Sequence, residues 1–413
     1  MNNLTNLFIS IIKNKRILIL IFIVNPIISL PFIIYGIYNR KKYCFTLLSV
    51  LLGITGMLYA PNGDLFRYYE YYYSTTGINL STLLFNLSSE FKTDYLLYFI
   101  QWLFNKLSIP NEIIVFLFIT IGTNLIFKIF LYFTKNSKND KTVFSIFLII
   151  FLIFSYWEFY FRFWFSAIIL IWGIFNIIIR KKRIGWVYLL LAPIIHFSTI
   201  IFSILFALSI LLNLKPKKKL FIILEICTIF SIGLSSKIIL NLLSYLPLSE
   251  ILTYKIYAYT EGYWGNEWLN DRSIGILLID YSKLILKFII LYILYKSYKS
   301  NTLYSLYTLI LILIIILTPF ATILLRFEVF FFYLSLLSVV PFLLANNNKN
   351  FKRNLTIFNL LFIIGISLTC GNFVMRRKIL PYSKEKLLFY NPTLTLFRTH
   401  YDKNWLKRHQ FLK

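Results

Sequence analysis

Long apolar runs, separated by short polar or basic connectors, make up most of the 413-residue chain. Because the apolar residues are continuous rather than alternating, the runs predict helices and not strands. Many of them approach the roughly 20 residues that cross a bilayer as a helix. We predict an all-α fold in one integral membrane domain, residues 1–413: a polytopic protein with about 10–12 transmembrane helices. The predicted spans are residues 17–38, 44–59, 113–133, 143–156, 164–179, 220–234, 274–295, 303–325, 329–344 and 355–369, with a shorter amphipathic or re-entrant helix at 94–107.

One apolar interval, residues 184–214, does not fit a single crossing. Basic clusters lie on both sides of it, and such clusters mark the cytoplasmic side of a membrane, so both of its ends belong on the same side. A re-entrant hairpin satisfies this condition, because about 31 residues folded in two reach only ~23 Å deep. Its apex holds Pro193 and His196. Freed backbone groups are tolerated at such a break only beside protein or water, which places His196 next to a cavity open to the outer face. One long tilted helix is the alternative.

Composition and charge agree with a membrane protein. The chain is 59% hydrophobic with a mean hydropathy of +0.73, which excludes a water-soluble globular domain. A net charge of +27 would indicate nucleic acid in a soluble protein, but most Lys and Arg lie in clusters between spans, as the positive-inside bias predicts. We therefore expect no nucleic-acid partner. Placing the clusters in the cytoplasm leaves two outward polar segments, residues 60–110 and 235–272. The basic tail, residues 376–413, lies outward by the span count, or in the cytoplasm if that count is wrong by one.

The first outward segment contains the sequence GDLFRYYEYYY. Asp64, Arg67 and Glu70 are three positions apart, so a helix places them on one face, with Tyr68 and Tyr71 beside them. Such a face can line a binding cleft. The alternative is an interfacial turn with local ion pairs under an aromatic belt.

The second outward segment ends with YAYTEGYWGNEWLNDRS. Aromatic rings stack on the apolar faces of sugars, while carboxylates and amides bind sugar hydroxyls, so this mixture is typical of a sugar-binding cleft. Glu261, Trp264, Asp271 and Arg272 are the candidate residues. The alternative is again an interfacial belt, where Tyr and Trp also gather.

Three motifs together resemble a known family. The sequences GDLFRYY, FRFWFSA and LAPIIHFS follow one another in an order and spacing similar to the EpsG and Wzy-type polysaccharide polymerases of bacterial envelopes, over about residues 40–392. The chain departs from the family pattern at Phe163, where a Gln commonly follows the Arg of the second motif. A role that the family gives to this Gln does not carry over.

The resemblance implies a multi-span glycosyltransferase of the bacterial inner membrane with its active site facing the periplasm or cell exterior. Such enzymes move a growing glycan from undecaprenyl pyrophosphate onto the sugar end of a lipid-linked repeat unit, in O-antigen, lipopolysaccharide or capsule synthesis. They need no nucleotide sugar, and we expect neither a cofactor nor a metal. The implied partners are the lipid-linked donor and acceptor, membrane lipids and a chain-length regulator.

The resemblance also gives roles to individual residues. Arginine binds phosphate oxygens bidentately, so outward arginines are expected to hold the pyrophosphate. The predicted substrate-binding residues are Arg67, Tyr68, Tyr71, Glu158, Arg162, Glu261, Trp264, Asp271, Arg272 and Glu328, and the predicted catalytic residues are Asp64, His196 and Arg326.

Each role has a structural alternative. Arg326 and Glu328 lie in an apolar setting, where an unpaired charge costs at least about 2.5–3.5 kcal/mol, and they can instead pair in a structural turn. His196 can act as general base toward the acceptor hydroxyl, because imidazole titrates near neutrality. It can equally bind a phosphate or sugar, or be a satisfied core histidine. Asp64 can orient Arg67 or act as base.

Other function classes stay open. An O-antigen ligase uses the same donor and differs in its acceptor, so the sequence hardly separates it from a polymerase. A flippase for lipid-linked oligosaccharides would be expected to show repeat symmetry and a polar path through several helices, and we see neither in the sequence. No Gly-rich phosphate loop or metal-binding pair of motifs is evident, which disfavours ATP-driven or metal-dependent chemistry.

Overall fold

All regular secondary structure in the described part of the chain is helical. The computed structural model describes residues 10–11, 14–89, 95–137, 139–154, 161–215, 219, 222–224, 226–227, 274–297, 300–317, 321–345, 351–376, 380–390, 392–398 and 400–410. Its first α-helices are α1 (Lys15–Val24), α2 (Pro26–Tyr38), α3 (Lys42–Leu58), α4 (Asp64–Ser74), α5 (Leu80–Ser89), α6 (Tyr95–Lys106), α7 (Glu112–Thr134), α8 (Asp140–Phe154), α9 (Phe161–Ile178), α10 (Gly185–Ile195) and α11 (Ile200–Leu212).

The second half of the chain continues the helical pattern. Its α-helices are α12 (Ile274–Ser297), α13 (Asn301–Ile316), α14 (Ala321–Leu334), α15 (Leu336–Leu344), α16 (Phe351–Arg376), α17 (Leu387–Tyr390), α18 (Thr393–Leu396) and α19 (Lys403–Arg408). The all-α class and the short helix predicted at 94–107 are confirmed, the latter as α6.

The first predicted span, residues 17–38, is two helices. Asn25 ends α1 in an extended conformation, and its side chain accepts hydrogen bonds from the N–H groups of Ile27 and Ile28. Pro26 then begins α2. An Asn N-cap followed by Pro at the first helical position is a strong helix start, so the chain restarts here rather than continuing one helix.

Two segments pass the length and composition test for a membrane span within the described residues. They are Glu112–Thr134, which is α7, and Leu324–Leu344, which joins most of α14 to α15. Seven shorter apolar helices accompany them. The number of crossings therefore stays a prediction.

The first two basic clusters lie at the same end of the helix bundle. The Arg40 side chain donates hydrogen bonds to the carbonyl oxygens of Thr134 (3.2 Å) and Ser137 (2.7 Å) and forms a salt bridge with Asp140. These contacts join the connector after α2 to the connector between α7 and α8. The two clusters thus lie at the same end, as expected if both mark one side of a membrane.

The basic tail packs at the opposite end. The Tyr401 hydroxyl donates to the carbonyl of Leu58 (2.6 Å), its backbone N–H donates to the Glu112 carboxylate, and Lys384 N–H donates to the same Leu58 carbonyl (2.8 Å). The Tyr73 hydroxyl on α4 donates to the carbonyl of Tyr401 (2.8 Å). The tail therefore shares its end of the bundle with the α4 motif. This relation agrees with the span count that put both on one side.

Candidate functional site

The chain breaks at His196, where the sequence predicted an apex. Helix α10 contains Pro193 and ends at Ile195, and His196 follows in an extended conformation before a 3₁₀ turn at Phe197–Thr199. On the far side, the Ser203 hydroxyl of α11 donates to the Leu189 carbonyl of α10 (3.2 Å), so the two helices run antiparallel. The chain therefore turns back on itself here, and the alternative of one long helix is wrong. That this hairpin is re-entrant in a membrane, with its apex beside an outward cavity, stays a prediction.

Hydroxyl groups hold the broken backbone in place. The Ser166 hydroxyl on α9 donates to the carbonyl of Ala192 (2.7 Å) and lies 3.0 Å from the hydroxyl of Thr199. The Thr199 hydroxyl donates to the carbonyl of His196 (2.8 Å). All four residues are buried, and His196 is only 6% exposed. The carbonyls of Ala192 and His196, which also accept from the backbone N–H groups of His196 and Thr199, thus gain second donors in these apolar surroundings.

A close approach of two glycines lets α10 lie against α9. A Cβ atom added to Gly185 would come within 2.6 Å of the carbonyl oxygen of Gly173. Only glycine at this contact allows the two backbones so near each other. The hairpin is therefore fixed to α9 along its length as well as at its apex.

Phe163 forms one wall beside the histidine. Its ring meets the imidazole of His196 edge to face, with centroids 5.6 Å apart and an interplanar angle of 82°. This is the position where the resembling family commonly has Gln. In this chain the histidine gains an aromatic contact there, and aromatic pairs prefer this edge-to-face arrangement.

Arg162 connects this region to the GDLFRYY motif. Its guanidinium group lies 4.9 Å from the ring centroid of Tyr68 on α4, within the range of a cation–π interaction. Tyr68 is buried, and the Gln101 side chain of α6 donates to its backbone carbonyl (2.9 Å). Tyr71 packs on the ring of Tyr98, with centroids 4.4 Å apart. The structure thus brings together two predicted site residues that are 94 positions apart.

Asp64 and Arg67 form the local ion pair expected of a helical face. Their closest oxygen and nitrogen are 3.5 Å apart, and their side chains are 65% and 50% exposed. An exposed pair of this kind contributes little to stability. The Arg67 guanidinium is therefore open to a competing anion on the α4 surface.

Two tyrosines of α4, Tyr69 and Tyr73, lie below this surface in their neutral form. Burial raises the pKa of Tyr69 and of Tyr73 above the ordinary value for a phenol, and the nearby Glu112 carboxylate raises both pKa values further. Burial lowers the pKa of Lys384 in the adjoining tail, with Glu112 and Asp402 acting in the opposite direction. The two phenols stay protonated at neutral pH.

Arg326 and Glu328 depart from the predicted turn. Both lie inside α14 rather than at a helix end. The Glu328 carboxylate forms salt bridges with Lys287 and, at 3.4 Å, with Lys283 of α12. The predicted structural pairing of Arg326 with Glu328 in a turn is therefore wrong. A buried carboxylate takes the cations that tertiary packing offers, and here two ammonium groups face it.

An aromatic layer lies between α14 and the hairpin. Phe202 of α11 stacks on Phe330 (4.1 Å between centroids) and also meets Phe327 (4.8 Å) of α14. On its other side Phe202 approaches Phe163 (6.3 Å). The helix that carries Arg326 thus packs against the hairpin that carries His196.

Comparison with known protein families places most of the chain in one of them. The model of the EpsG family matches residues 41–384, which include the α4 motif, Arg162, the hairpin and α14. The chain belongs to the EpsG family. Membership suggests a polysaccharide polymerase and supports a role in polysaccharide biosynthesis at a membrane. No curated protein and no solved structure matches the chain.

Two buried lysines that pair with the predicted site residue Glu328 are missing from the sequence interpretation. Lys283 and Lys287 lie four positions apart inside the apolar helix α12, which is the signal that would have found them, because ionisable residues within apolar spans are functional candidates by default. The predicted sites Glu158, Glu261, Trp264, Asp271 and Arg272 lie outside the described residues.

Proposed function

We propose that this EpsG-family protein polymerises a bacterial surface polysaccharide, transferring a glycan from an undecaprenyl pyrophosphate carrier to the sugar end of a lipid-linked repeat unit. One observation carries the proposal: Arg162 and the ring of Phe163, consecutive on α9, meet Tyr68 and His196 respectively. One turn of α9 thereby contacts both the α4 motif and the imidazole at the hairpin break, and it supplies a cation that can bind phosphate.

The chemistry of such a transfer needs both the cation and the imidazole. The acceptor hydroxyl oxygen forms a bond to the anomeric carbon of the donor, and the bond from that carbon to the diphosphate oxygen breaks. The diphosphate leaves with the bonding electron pair, and Arg162 stabilises the charge that develops on it. His196 accepts the proton of the attacking hydroxyl, a task that suits a group titrating near neutrality. Tyr71, which is partly exposed, offers its ring for a sugar face, and Tyr68 supports Arg162.

The position of the site supports an outward active site. Arg67, Arg162 and the tail lie at the end of the bundle opposite the contact between Arg40 and Asp140. If the basic clusters of that contact face the cytoplasm, as positive residues near spans do, the site faces the periplasm or cell exterior. Lipid-linked donor and acceptor both reach it from the outer leaflet. A chain-length regulator is a further proposed partner.

A deletion strain tests the proposal. We expect cells without this gene to keep single repeat units on their carrier and final acceptor and to lose long chains. Re-expression of the wild type restores the long chains, whereas Arg162→Ala and His196→Ala do not. Polymer that is fully grown but retained on its lipid carrier would instead indicate a ligase and contradict the proposal.

A variant of a second arginine serves as a control for effects on folding rather than on the reaction. Arg180 also lies over an aromatic ring, that of Trp172 at 5.8 Å, but at the other end of α9. Arg180→Ala removes the same kind of contact away from the site. We expect normal chain length from this variant at equal membrane abundance, measured by a tag fused after Lys413.

A further inference from the structure

Three large apolar side chains of the tail are exposed although the tail is strongly basic. Phe389, Tyr390 and Leu394, on the short helices α17 and α18, are 65%, 80% and 69% exposed. Exposed Lys386 and Arg398 lie on either side of them in the sequence. We call these five residues the tail patch. Exposed apolar residues that are scattered singly need no explanation, but a group of this kind marks an interaction surface.

The opposite face of the same segment is fixed to the helix bundle. Leu396 is fully buried. The Thr393 hydroxyl donates to the carbonyl of Phe22 on α1 (2.8 Å), and the ring of Phe397 meets that of Phe116 on α7 edge to face, with centroids 5.2 Å apart. The tail patch is therefore the outer face of a folded segment, and the bundle determines its position.

The tail patch continues an exposed apolar surface of the first two helices. Helix α18 packs on α1, and α17 packs on α2. Leu20 and Val24 of α1 and Ile28 of α2 are all exposed. In a membrane protein, such side chains on apolar helices contact lipid rather than water. The apolar residues of the patch lie beside this surface, and tyrosine among them is typical of the boundary between membrane and water.

The charge of the tail indicates an anionic partner. Residues 384–408 contain six Lys or Arg and only two acidic residues, Glu385 and Asp402. Asp402 is the N-cap of α19 and accepts from the backbone N–H of Trp405 (2.7 Å). Segments that combine apolar with basic residues bind membrane surfaces, because the apolar side chains enter the acyl boundary and the cations attract anionic headgroups. An anionic glycan would pair with the charges but would leave the apolar side chains in water.

We infer that the tail patch binds the anionic phospholipid surface beside α1 and α2. Its three apolar side chains insert at the boundary between headgroups and acyl chains, and its two basic side chains bind lipid phosphates. Bound lipid holds the tail on the bundle, and the tail in turn holds α4 through the bond from the Tyr73 hydroxyl to the Tyr401 carbonyl (2.8 Å). This inference goes beyond the proposed function and does not require the polymerase reaction.

Amide hydrogen exchange of the full-length protein in nanodiscs tests the inference. The discs contain phosphatidylcholine alone or phosphatidylcholine mixed with phosphatidylglycerol. Each positive charge near an anionic surface strengthens the attraction about fivefold, so we expect exchange in residues 386–398 to slow by at least about tenfold when phosphatidylglycerol is present. Helix α5 exposes Leu84 and Phe85 but contains no charged residue. Its exchange should be the same in both kinds of disc.

Substitutions separate the basic from the apolar contribution. Lys386→Gln and Arg398→Gln should each reduce the slowing by phosphatidylglycerol about fivefold. The double variant Phe389→Ser with Leu394→Ser should lose the slowing altogether, because the segment no longer inserts. Lys403→Gln is the matched control: it changes an exposed lysine of the tail on α19, which packs on α4 rather than on α1 or α2. This variant should retain the slowing seen in the wild type.

Three results would overturn the inference. The first is equal exchange of residues 386–398 in the two kinds of disc. The second is an equal effect of Lys403→Gln and Lys386→Gln, which would mean that the charge of the whole tail acts and not the tail patch. The third is protection by heparin, an anionic polysaccharide, in phosphatidylcholine discs that persists in the double serine variant, which would indicate a glycan partner. A variant with faster exchange in α5 is misfolded, and the two glutamine variants of the patch then decide.

Discussion

Thr199 supports the break that carries His196 through a single hydroxyl group. The side chain is fully buried, its hydroxyl donates at 2.8 Å to the His196 carbonyl, and its oxygen lies 3.0 Å from the Ser166 hydroxyl of α9. Thr199→Val keeps the branched shape of the side chain and removes only the hydroxyl. The substitution therefore tests whether this small network, and not the surrounding apolar packing, positions the imidazole.

The expected loss of stability follows from the hydrogen bond to the His196 carbonyl and the contact with the Ser166 hydroxyl. Side-chain hydrogen bonds between helices in membrane proteins contribute about 0.6 kcal/mol on average and up to about 1.7 kcal/mol. The His196 carbonyl keeps its bond from the Thr199 backbone N–H (3.0 Å), and Ser166 keeps its bond to Ala192 (2.7 Å). No group is left wholly unsatisfied, so we expect a loss of about 1–2 kcal/mol.

The effect on polymerisation should exceed the effect on stability. A displacement of about 1 Å in a positioned group can reduce a rate by up to about 100-fold, and the Thr199 hydroxyl lies between the His196 carbonyl and Ser166 of α9. We expect the rate of polymer formation in membranes to fall by at least about tenfold. Rates are measured with lipid-linked repeat units, and stability by denaturant unfolding in detergent.

Two variants control this measurement. Thr199→Ser retains the hydroxyl and should keep most of the activity. Thr134→Val removes an equally buried hydroxyl on α7, which donates to the Phe130 carbonyl at 3.0 Å at the other end of the bundle, and should lower stability without slowing polymerisation. Equal activity of Thr199→Val and Thr134→Val would refute the idea that the hydroxyl network positions His196.

Three further substitutions give distinct outcomes. Arg162→Lys keeps the charge but loses the planar group that stacks on a ring, and we expect shortened chains on gel analysis of extracted polysaccharide. Gly185→Ala introduces a Cβ about 2.6 Å from the Gly173 carbonyl oxygen, and overpacking of this kind should lower the free energy of unfolding by about 1–3 kcal/mol. Tyr401→Phe removes the hydrogen bond to Leu58, and we expect about 0.5–1.5 kcal/mol less stability and faster proteolysis of the tail.

Each of these has its own control. Arg180→Lys changes the matched arginine at the other end of α9 and should leave chain length unaltered. Tyr390→Phe removes a hydroxyl from a tail tyrosine that is 80% exposed, so proteolysis should match the wild type. An unchanged unfolding midpoint for Gly185→Ala would mean that the hairpin tolerates a wider separation from α9.

The sequence predicted the parts of the site that depend on local backbone chemistry. Pro193, in an apolar interval with a basic cluster at each end, was enough to predict a break near His196, because proline interrupts helical hydrogen bonding locally and the clusters put both ends of the interval on one side. The Asn25 and Pro26 pair carried an equally local signal for two helices in place of the span 17–38. That signal was present in the sequence and the prediction missed it.

Other parts depend on contacts that no local pattern contains. The turn expected around Arg326 rested on charges interrupting an apolar run, but Glu328 has its partners on α12, 41 and 45 positions away in the chain. With those partners, a continuous helix is compatible with the buried carboxylate. The contact of Arg162 with Tyr68 likewise depends on how α9 and α4 pack, and spacing in the sequence does not reveal it.

The long-range contacts of the tail set an order for biogenesis. The Ser383 hydroxyl accepts a hydrogen bond from the backbone N–H of Ala60, 323 positions away, and the backbone N–H of Tyr401 donates to the Glu112 carboxylate, 289 positions away. The ribosome synthesises the early helices well before these tail residues. Until then the Leu58 carbonyl and the Glu112 carboxylate have no tail to cover them. Folding of this end of the protein is therefore completed late. A chain stalled near residue 380 would contain the early helices but would lack the contacts of the tail.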